Sequence, residues 1–251
     1  MHSELELLHE AFPERPEAGP ALSRILLDQV ADGRRGPTVR LSRPGRVVAF
    51  GRRDTRSRGY AGAVASAREC GFAAMERLTG GRAAAYSEGT LSLTLTTPDP
   101  DPGRRTGRRF EEAADLLRAA LASLGVDARI GEIPGEYCPG TYSVSAGGRA
   151  KLAGIGQRMV KGAAHVGFVI VVSGSDRIRA VLDPVYRALE LEWRPETVGA
   201  VEDEVEGAGL DSVEAAILDQ IASQVSLRPV ALDRGTLELA ETAAPKFRSP
   251  G

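Results

Sequence analysis

Leucine alternates with threonine or serine along TLSLTLTT, residues 90–97, a period of two that predicts a strand with one buried face. HVGFVIVV, 165–172, is a continuous apolar run of the length of a fully buried strand. Shorter strand-like runs occur in TVRLS and RVVAFG, on either side of a Pro-Gly turn, and in VDARIGEI. The period changes in FEEAADLLRAALASLG, 110–125, where leucines and alanines recur at helical spacing up to a terminal glycine. DSVEAAILDQIASQVS, 211–226, repeats that pattern. Further helices are predicted over 21–32, over 61–69 with a stop at Cys70-Gly71, and over 175–191, where Pro184 is expected to interrupt or restart the helix. Strands and helices are mixed without strict β-α-β alternation. The fold class expected is therefore α+β, with a central mixed, largely antiparallel sheet flanked by helices. One domain is expected over 1–251, with its core at about 37–225. The start is read as mobile and the tail after the last helix as weakly structured.

Composition narrows the function classes. The chain has 251 residues, 42% hydrophobic and 26% charged, with a net charge of −2. Nothing there suggests bulk attraction to nucleic acid or to an anionic membrane. No apolar run approaches the roughly 20 residues of a membrane span. The first residues, MHSELELLHEAF, are acidic where a signal peptide is basic, so a cytoplasmic location is expected. Two cysteines make no disulfide framework, and His2, His9 and His165 are too scattered to complete a zinc site. Metal catalysis is not expected.

Arginine does nearly all the basic work: of 32 basic residues only Lys151, Lys161 and Lys246 are lysines. Lys151 lies in GGRAKLAGIGQR, among apolar Leu152, Ala153 and Ile155 and beside Gly148, Gly154 and Gly156. An ammonium in such surroundings is either a solvated surface charge or a partly desolvated one. In the second case it can lower a thiol pKa or hold an acyl oxygen. Cys138 precedes it by thirteen residues, on a Tyr-Cys-Pro-Gly turn. The cysteine is either an exposed nucleophile or a small buried hydrophobe. A strand, a Gly-Gly turn and a return strand would bring residues 138 and 151 to the same end of a hairpin. Cys70, at a helix end facing the core, is read as a buried hydrophobe. In RLTGGRAAAYSEGT, Gly80-Gly81 lets the backbone approach a ligand, and Arg77 and Arg82 bracket it. A tight hairpin with solvated arginines would look the same. It is not a Walker loop, since no Lys-Ser or Lys-Thr follows. His165 reads as a core or edge histidine, with a base as the alternative.

Three stretches together resemble a family. RLTGGRAAAYSEGTLSLTL is similar to the Arg-x-Thr-Gly-Gly signature of the lipoate-protein ligase, octanoyltransferase and biotin-protein ligase superfamily, and GGRAKLAGIGQR to its lysine signature. YCPGTYSVS resembles the Tyr-Cys-Pro-Gly segment of the cysteine-dependent octanoyl amidotransferase branch. The resemblance implies the α+β catalytic domain of biotin and lipoyl protein ligases. It implies that Cys138 carries the acyl group as a thioester and that Lys151 contacts the acyl carbonyl. It further implies that Arg77, Thr79, Gly80, Gly81 and Arg82 line the acyl and adenylate pocket, with Ala153, Gly154, Ile155, Gly156 and His165 as further substrate-binding positions. The Pro-Cys-Gly motif of the more familiar octanoyltransferases is absent. Three places depart from the pattern: Leu78, Ser143 where the family often has Asp or Glu, and Tyr86-Ser87 where it usually has His-Asp.

The function so implied is acyl transfer. An octanoyl or lipoyl group passes from a carrier-protein thioester or a lipoyl-domain donor, through Cys138, to a lysine of a lipoyl domain. The implied donors are acyl carrier protein or glycine-cleavage H protein, and the implied acceptors are lipoyl domains of 2-oxoacid dehydrogenases. That reaction needs no cofactor. An ATP-dependent lipoate-protein ligase, using ATP and magnesium, is the alternative, and a non-catalytic acyl- or lipoyl-domain-binding homologue is the third reading.

Overall fold

A computed structural model describes residues 3–250. Its strands are β1 (Glu4–Leu8), β2 (Thr38–Ser42), β3 (Val47–Phe50), β4 (Ala73–Glu76), β5 (Ala84–Tyr86), β6 (Thr90–Asp99), β7 (Ala128–Ile130), β8 (Val144–Ala146), β9 (Ala150–Val160), β10 (Gly162–Val171) and β11 (Ser226–Pro229). Its helices are α1 (Ala18–Ala31), α2 (Tyr60–Glu69), α3 (Thr106–Ser123), α4 (Ser175–Ala188), α5 (Leu210–Ala222) and α6 (Arg234–Ala243). Eight strands form a mixed sheet in the order β11-β1-β2-β6-β10-β9-β8-β7, and β4-β3-β5 form a second. Only β1 with β11 and β1 with β2 run parallel in the large sheet. The expected α+β architecture is present, with two sheets rather than one.

The period-two pattern decides which face is which. Leu91 and Leu93 of β6, with Val166, Phe168 and Ile170 of β10, enter one core with Leu117 and Leu121 of α3 and Ile217 of α5. The alternate positions, Ser92 and Thr94 of β6 and His165, Gly167 and Val169 of β10, face a cavity on the opposite side. The second sheet, with α2 and α4, forms a second core that includes Phe50, Val64, Val181 and Tyr186. The cavity lies between the two sheets, with Gly19, Pro20 and Ser23 of α1 on its wall.

Four expectations are corrected. The mobile start contains β1, because Leu5 and Leu7 reach the first core and Leu8 packs on α1. The weakly structured tail contains β11 and α6, where Leu232 and Ala240 pack against Leu22 and Leu26. The α4 helix continues through Pro184, since Ile178, Val181, Leu182 and Val185 are all buried along it and hold the helix across the missing N–H. Cys70 is exposed, because it caps α2 beyond the turn that buries Ala63, Val64 and Ala67.

Candidate active site

Cys138 sits in a loop between β7 and β8 with φ of +42°, a left-handed backbone that a non-glycine residue rarely adopts. Pro139 follows it, and a proline ring pushes the preceding residue toward extended backbone. The surroundings fix this conformation from both sides. The Cys138 N–H donates to Tyr186 Oη at 2.7 Å, and that hydroxyl donates to Ala83 O at 2.9 Å. The Cys138 carbonyl accepts from Lys151 Nζ at 2.9 Å. Strain on the order of 1–3 kcal/mol persists only where neighbours over-determine it, and functional sites are where it concentrates.

The sulfur faces the glycine loop between β4 and β5. Arg77 Nη2 and the Arg82 backbone N–H both donate to Sγ, each at 3.2 Å. Burial pushes the thiol pKa up. The charge of Arg77, the more distant charge of Lys151 and the two hydrogen bonds outweigh it, and the thiol lies below its ordinary range. Gly81, at φ +106°, is required by this approach: a β-carbon there would stand 2.1 Å from Arg77 Nη2 and 2.7 Å from Sγ. Arg82 is tied back to Asp54, which is completely buried and whose other oxygen accepts the Gly51 N–H.

Lys151 is 1% exposed and shares its three protons among Glu136 Oε1 at 3.0 Å, Tyr137 O at 2.9 Å and Cys138 O. It also lies 4.8 Å from the Tyr137 ring centroid. Arg77, then, is the cation in contact with the sulfur, and Lys151 is the cation beneath the turn that carries it. A substrate oxygen can bind Lys151 only by displacing one of those acceptors. The expected hairpin with its Gly-Gly turn is present as β8 and β9 around Gly147-Gly148, but Cys138 lies outside it. Ser145 is the residue opposite Lys151, and the loop after β7 folds back to bring Cys138 over it.

Glu136 is the hub of that loop. Its carboxylate accepts from Ile133 N, Gly140 N, Ser143 Oγ and Lys151 Nζ. The acidic group that Ser143 does not carry is thus present beside it, supplied seven residues earlier. Tyr86 lines the cavity, and Ser87 caps the turn into β6 through Thr90.

The cavity measures about 430 Å³, and Cys138 lies on its wall. Thr79 and Gly80 of the glycine loop, and Gly154, Ile155 and Gly156 of β9, line it. Ala153 is buried behind them in the first core. Gly156 lies opposite Gly167, and a β-carbon at Gly156 would stand 3.0 Å from Thr79 Oγ1. The paired glycines let the Arg77–Gly80 segment settle onto the sheet. His165 is 2% exposed; its Nδ1 shares a proton with Thr96 Oγ1 at 2.8 Å, and burial lowers its pKa to about 3. It is a neutral wall residue at physiological pH. Arg40, also buried, closes another part of the wall; burial lowers its pKa to about 10, and it donates to Ser23 Oγ at 2.9 Å and Gly19 O at 3.2 Å.

Every sequence-predicted site residue except Arg82 and Ala153 therefore lines this cavity, and Arg82 reaches it through the hydrogen bond from its backbone N–H to the Cys138 sulfur. Glu136, Tyr186 and Arg40 escaped sequence reasoning. Glu136 adjoins the cysteine turn and had a local signal; Tyr186 and Arg40 sit on a helix and a strand with no pattern to mark them.

Comparison with known proteins places this geometry. A model of the lipoyl protein ligase A/B catalytic domain matches residues 16–222. The chain belongs to that family. Among curated members, an octanoyl-GcvH:protein N-octanoyltransferase of Geobacillus kaustophilus is 34% identical over 162 residues, 64% of this chain and 57% of that protein. A lipoyl-GcvH:protein N-lipoyltransferase of Listeria monocytogenes is 30% identical over 55% of this chain and 49% of its own length. The chain thus spans about half to three-fifths of the length of these relatives. In structure, lipoate-protein ligase A bound with ATP has a TM-score of 0.77 at 21% identity, covering 97% of this chain and 95% of that one. A bipartite lipoate protein ligase of Thermoplasma acidophilum gives 0.74 at 21% identity, covering 98% and 93%. These neighbours establish the lipoyl-ligase catalytic-domain fold.

Among the described residues no group of three or more His, Cys, Asp or Glu is placed to hold a metal; His2 lies outside them. No helix described is long and apolar enough to cross a membrane.

Proposed function

We propose that this family member is a protein N-acyltransferase that moves an octanoyl or lipoyl group through a thioester on Cys138. The observation that carries the reading is the Cys138 sulfur itself, held by Arg77 and the Arg82 N–H on the wall of a largely apolar cavity. The names of the Geobacillus and Listeria relatives support it, and they make glycine-cleavage H protein the proposed donor. Lipoyl domains of 2-oxoacid dehydrogenases are the proposed acceptors, and the cytoplasm the proposed location.

The thiolate attacks the donor acyl carbonyl. The C–S bond of the acyl-enzyme forms, the C–N bond of the donor amide breaks, and the leaving lysine amine takes up a proton. The acceptor amine then attacks the thioester, the C–N bond re-forms, and Cys138 departs as thiolate while a proton is released. One amide replaces another, so the exchange needs no nucleotide. Arg77 stabilises the thiolate at both ends of this cycle. Phe110 and Tyr142, stacked at 5.1 Å, join Ile155 and Val169 in the apolar wall. At about 0.8 kcal/mol for each buried methylene, an octanoyl chain gains on the order of 5 kcal/mol there.

The cavity suits this reaction better than an ATP-dependent ligation. Among the described residues no acidic side chain lines it, so a magnesium–nucleotide would find no carboxylate ligand inside it; Glu136 already accepts four hydrogen bonds beneath the turn. The test combines purified protein, octanoylated H protein and an unmodified lipoyl domain, without nucleotide. Transfer is expected, with no ATP–pyrophosphate exchange driven by free octanoate or lipoate. Transfer only with ATP, at full rate in Cys138→Ser, would establish the ligase instead.

A further inference from the structure

A second depression of about 920 Å³ lies on the glycine loop and shares Arg77, Leu78, Thr79, Gly80 and Gln157 with the acyl cavity. Its charge is unusual for this chain. Elsewhere exposed arginines are mostly paired with carboxylates, as in Arg15–Glu241, Arg46–Glu88, Arg149–Glu204 and Arg228–Glu4. In this groove Arg52, Arg56, Arg158 and Lys246 are all exposed, and among the described residues none makes an ion pair. They come from three separate parts of the chain: the loop after β3, strand β9 and the turn after α6. Arg53 and Arg58, exposed on the same loop as Arg52, are unpaired as well. Of the two carboxylates in the groove, Asp28 is paired with Arg24, and Glu76, which accepts from the neutral Tyr60 hydroxyl, offsets only one of the four free positive charges. On a chain of net charge −2, uncompensated positive charge is thus gathered beside the loop that holds the catalytic sulfur.

We propose that this groove is the docking surface for an acidic face of the acyl-acceptor protein, positioning its lysine over the Cys138 thioester. The proposal rests on the acyl-transfer reading for the identity of the partner. Charge complementarity selects an acidic protein domain, because the positive patch is local and the overall charge is negative, which disfavours an extended polyanion. Position puts that domain beside the reacting sulfur, because the Arg77–Gly80 segment bounds both the groove and the acyl cavity and Arg77 itself donates to Sγ. Unpaired rim charges of this kind govern encounter rate and salt dependence.

The test measures binding of an unmodified lipoyl domain of a 2-oxoacid dehydrogenase, the proposed acceptor, to Cys138→Ala enzyme by titration calorimetry across a salt series, which requires no acyl chemistry. Wild-type residues in the groove should give a Kd that weakens with salt. The triple variant Arg52→Glu, Arg56→Glu, Lys246→Glu should weaken Kd at least about tenfold at low salt and flatten the slope. Arg118→Glu on α3 should leave both unchanged. Unaltered thermal midpoints show that the variants fold. Absence of binding, an unchanged Kd in the triple variant, or an equal loss in Arg118→Glu overturns the proposal. So does saturable ATP binding that the triple variant loses while it still binds the lipoyl domain. Acylation of Cys138 by a small uncharged octanoyl thioester, measured in parallel on cysteine-intact enzyme, separates the two readings. If that fails while binding behaves as described, the transfer chemistry is wrong and the docking surface stands.

Discussion

At the scale of single residues the site depends on contacts too close to tolerate change. Arg77 both touches the sulfur and supplies the largest stabilisation of its thiolate. In Arg77→Gln the burial remains while the cation is lost, so the thiol pKa rises. The alkylation rate of Cys138 by iodoacetamide, followed against pH, should show a midpoint below the usual thiol value of about 8.5 in wild type and a higher one in the variant. Gly81→Ala would place a methyl against both Arg77 and Sγ and force an alanine into φ of +106°. Transfer should fall at least about a hundredfold, since small displacements of a nucleophile are severe. Lys151 needs a different expectation. Its removal leaves the buried Glu136 carboxylate without its counter-charge, and such a loss costs about 3–5 kcal/mol. Lys151→Gln should therefore lower the denaturant midpoint as well as activity, and Glu136→Gln in the same chain should recover part of the stability.

At the scale of elements, the strands were legible where one face is apolar and the other is not. β6 shows why, with leucine at its core positions and serine or threonine at its cavity positions, whereas β10 was legible as an unbroken apolar run that keeps Val169 on the cavity side. The cysteine turn and the glycine loop were legible because Tyr-Cys-Pro-Gly and Gly-Gly are turn chemistry with reactive neighbours. The pairing of Arg77 with the thiol was not, since the two residues are 61 positions apart and meet only after two sheets pack together. Tyr186 was hidden for the same reason: it sits on α4, far from the loop whose backbone it pins. Tyr186→Phe should leave the Cys138 N–H without a partner, at about 1–3 kcal/mol, and release the strained turn. His165 on β10 gives an acid-stability signature. Its folded pKa of about 3 lies below the unfolded value near 6.5, so the unfolded state binds the extra proton between them. Stability should fall as pH drops through that window, by at most about 1.4 kcal/mol per unit, and urea titrations of His165→Gln should show a flatter acid limb.

At the scale of the whole molecule, the first strand and the last α-helix described, β1 and α6, belong to the folded body. β1 bridges β11 and β2, and α6 packs on α1, which itself walls the acyl cavity. Removing residues 226–250 should strip the cover from Leu8, Leu22 and Leu26 and lower the thermal midpoint sharply; Leu232→Ala alone should cost about 2–3 kcal/mol. Sequence reasoning placed the core at about 37–225 because the closing strand, SLRP, is short and carries no alternation, so only its partner β1 defines it. The central claim is that this assembly turns Cys138 into an acyl carrier. Intact-mass spectrometry of the protein incubated with octanoylated H protein tests it most directly. The predicted result is a gain of one octanoyl group, localised to Cys138, absent in Cys138→Ala and discharged when an unmodified lipoyl domain is added. No gain on the wild-type chain, or the same gain in Cys138→Ala, would contradict it.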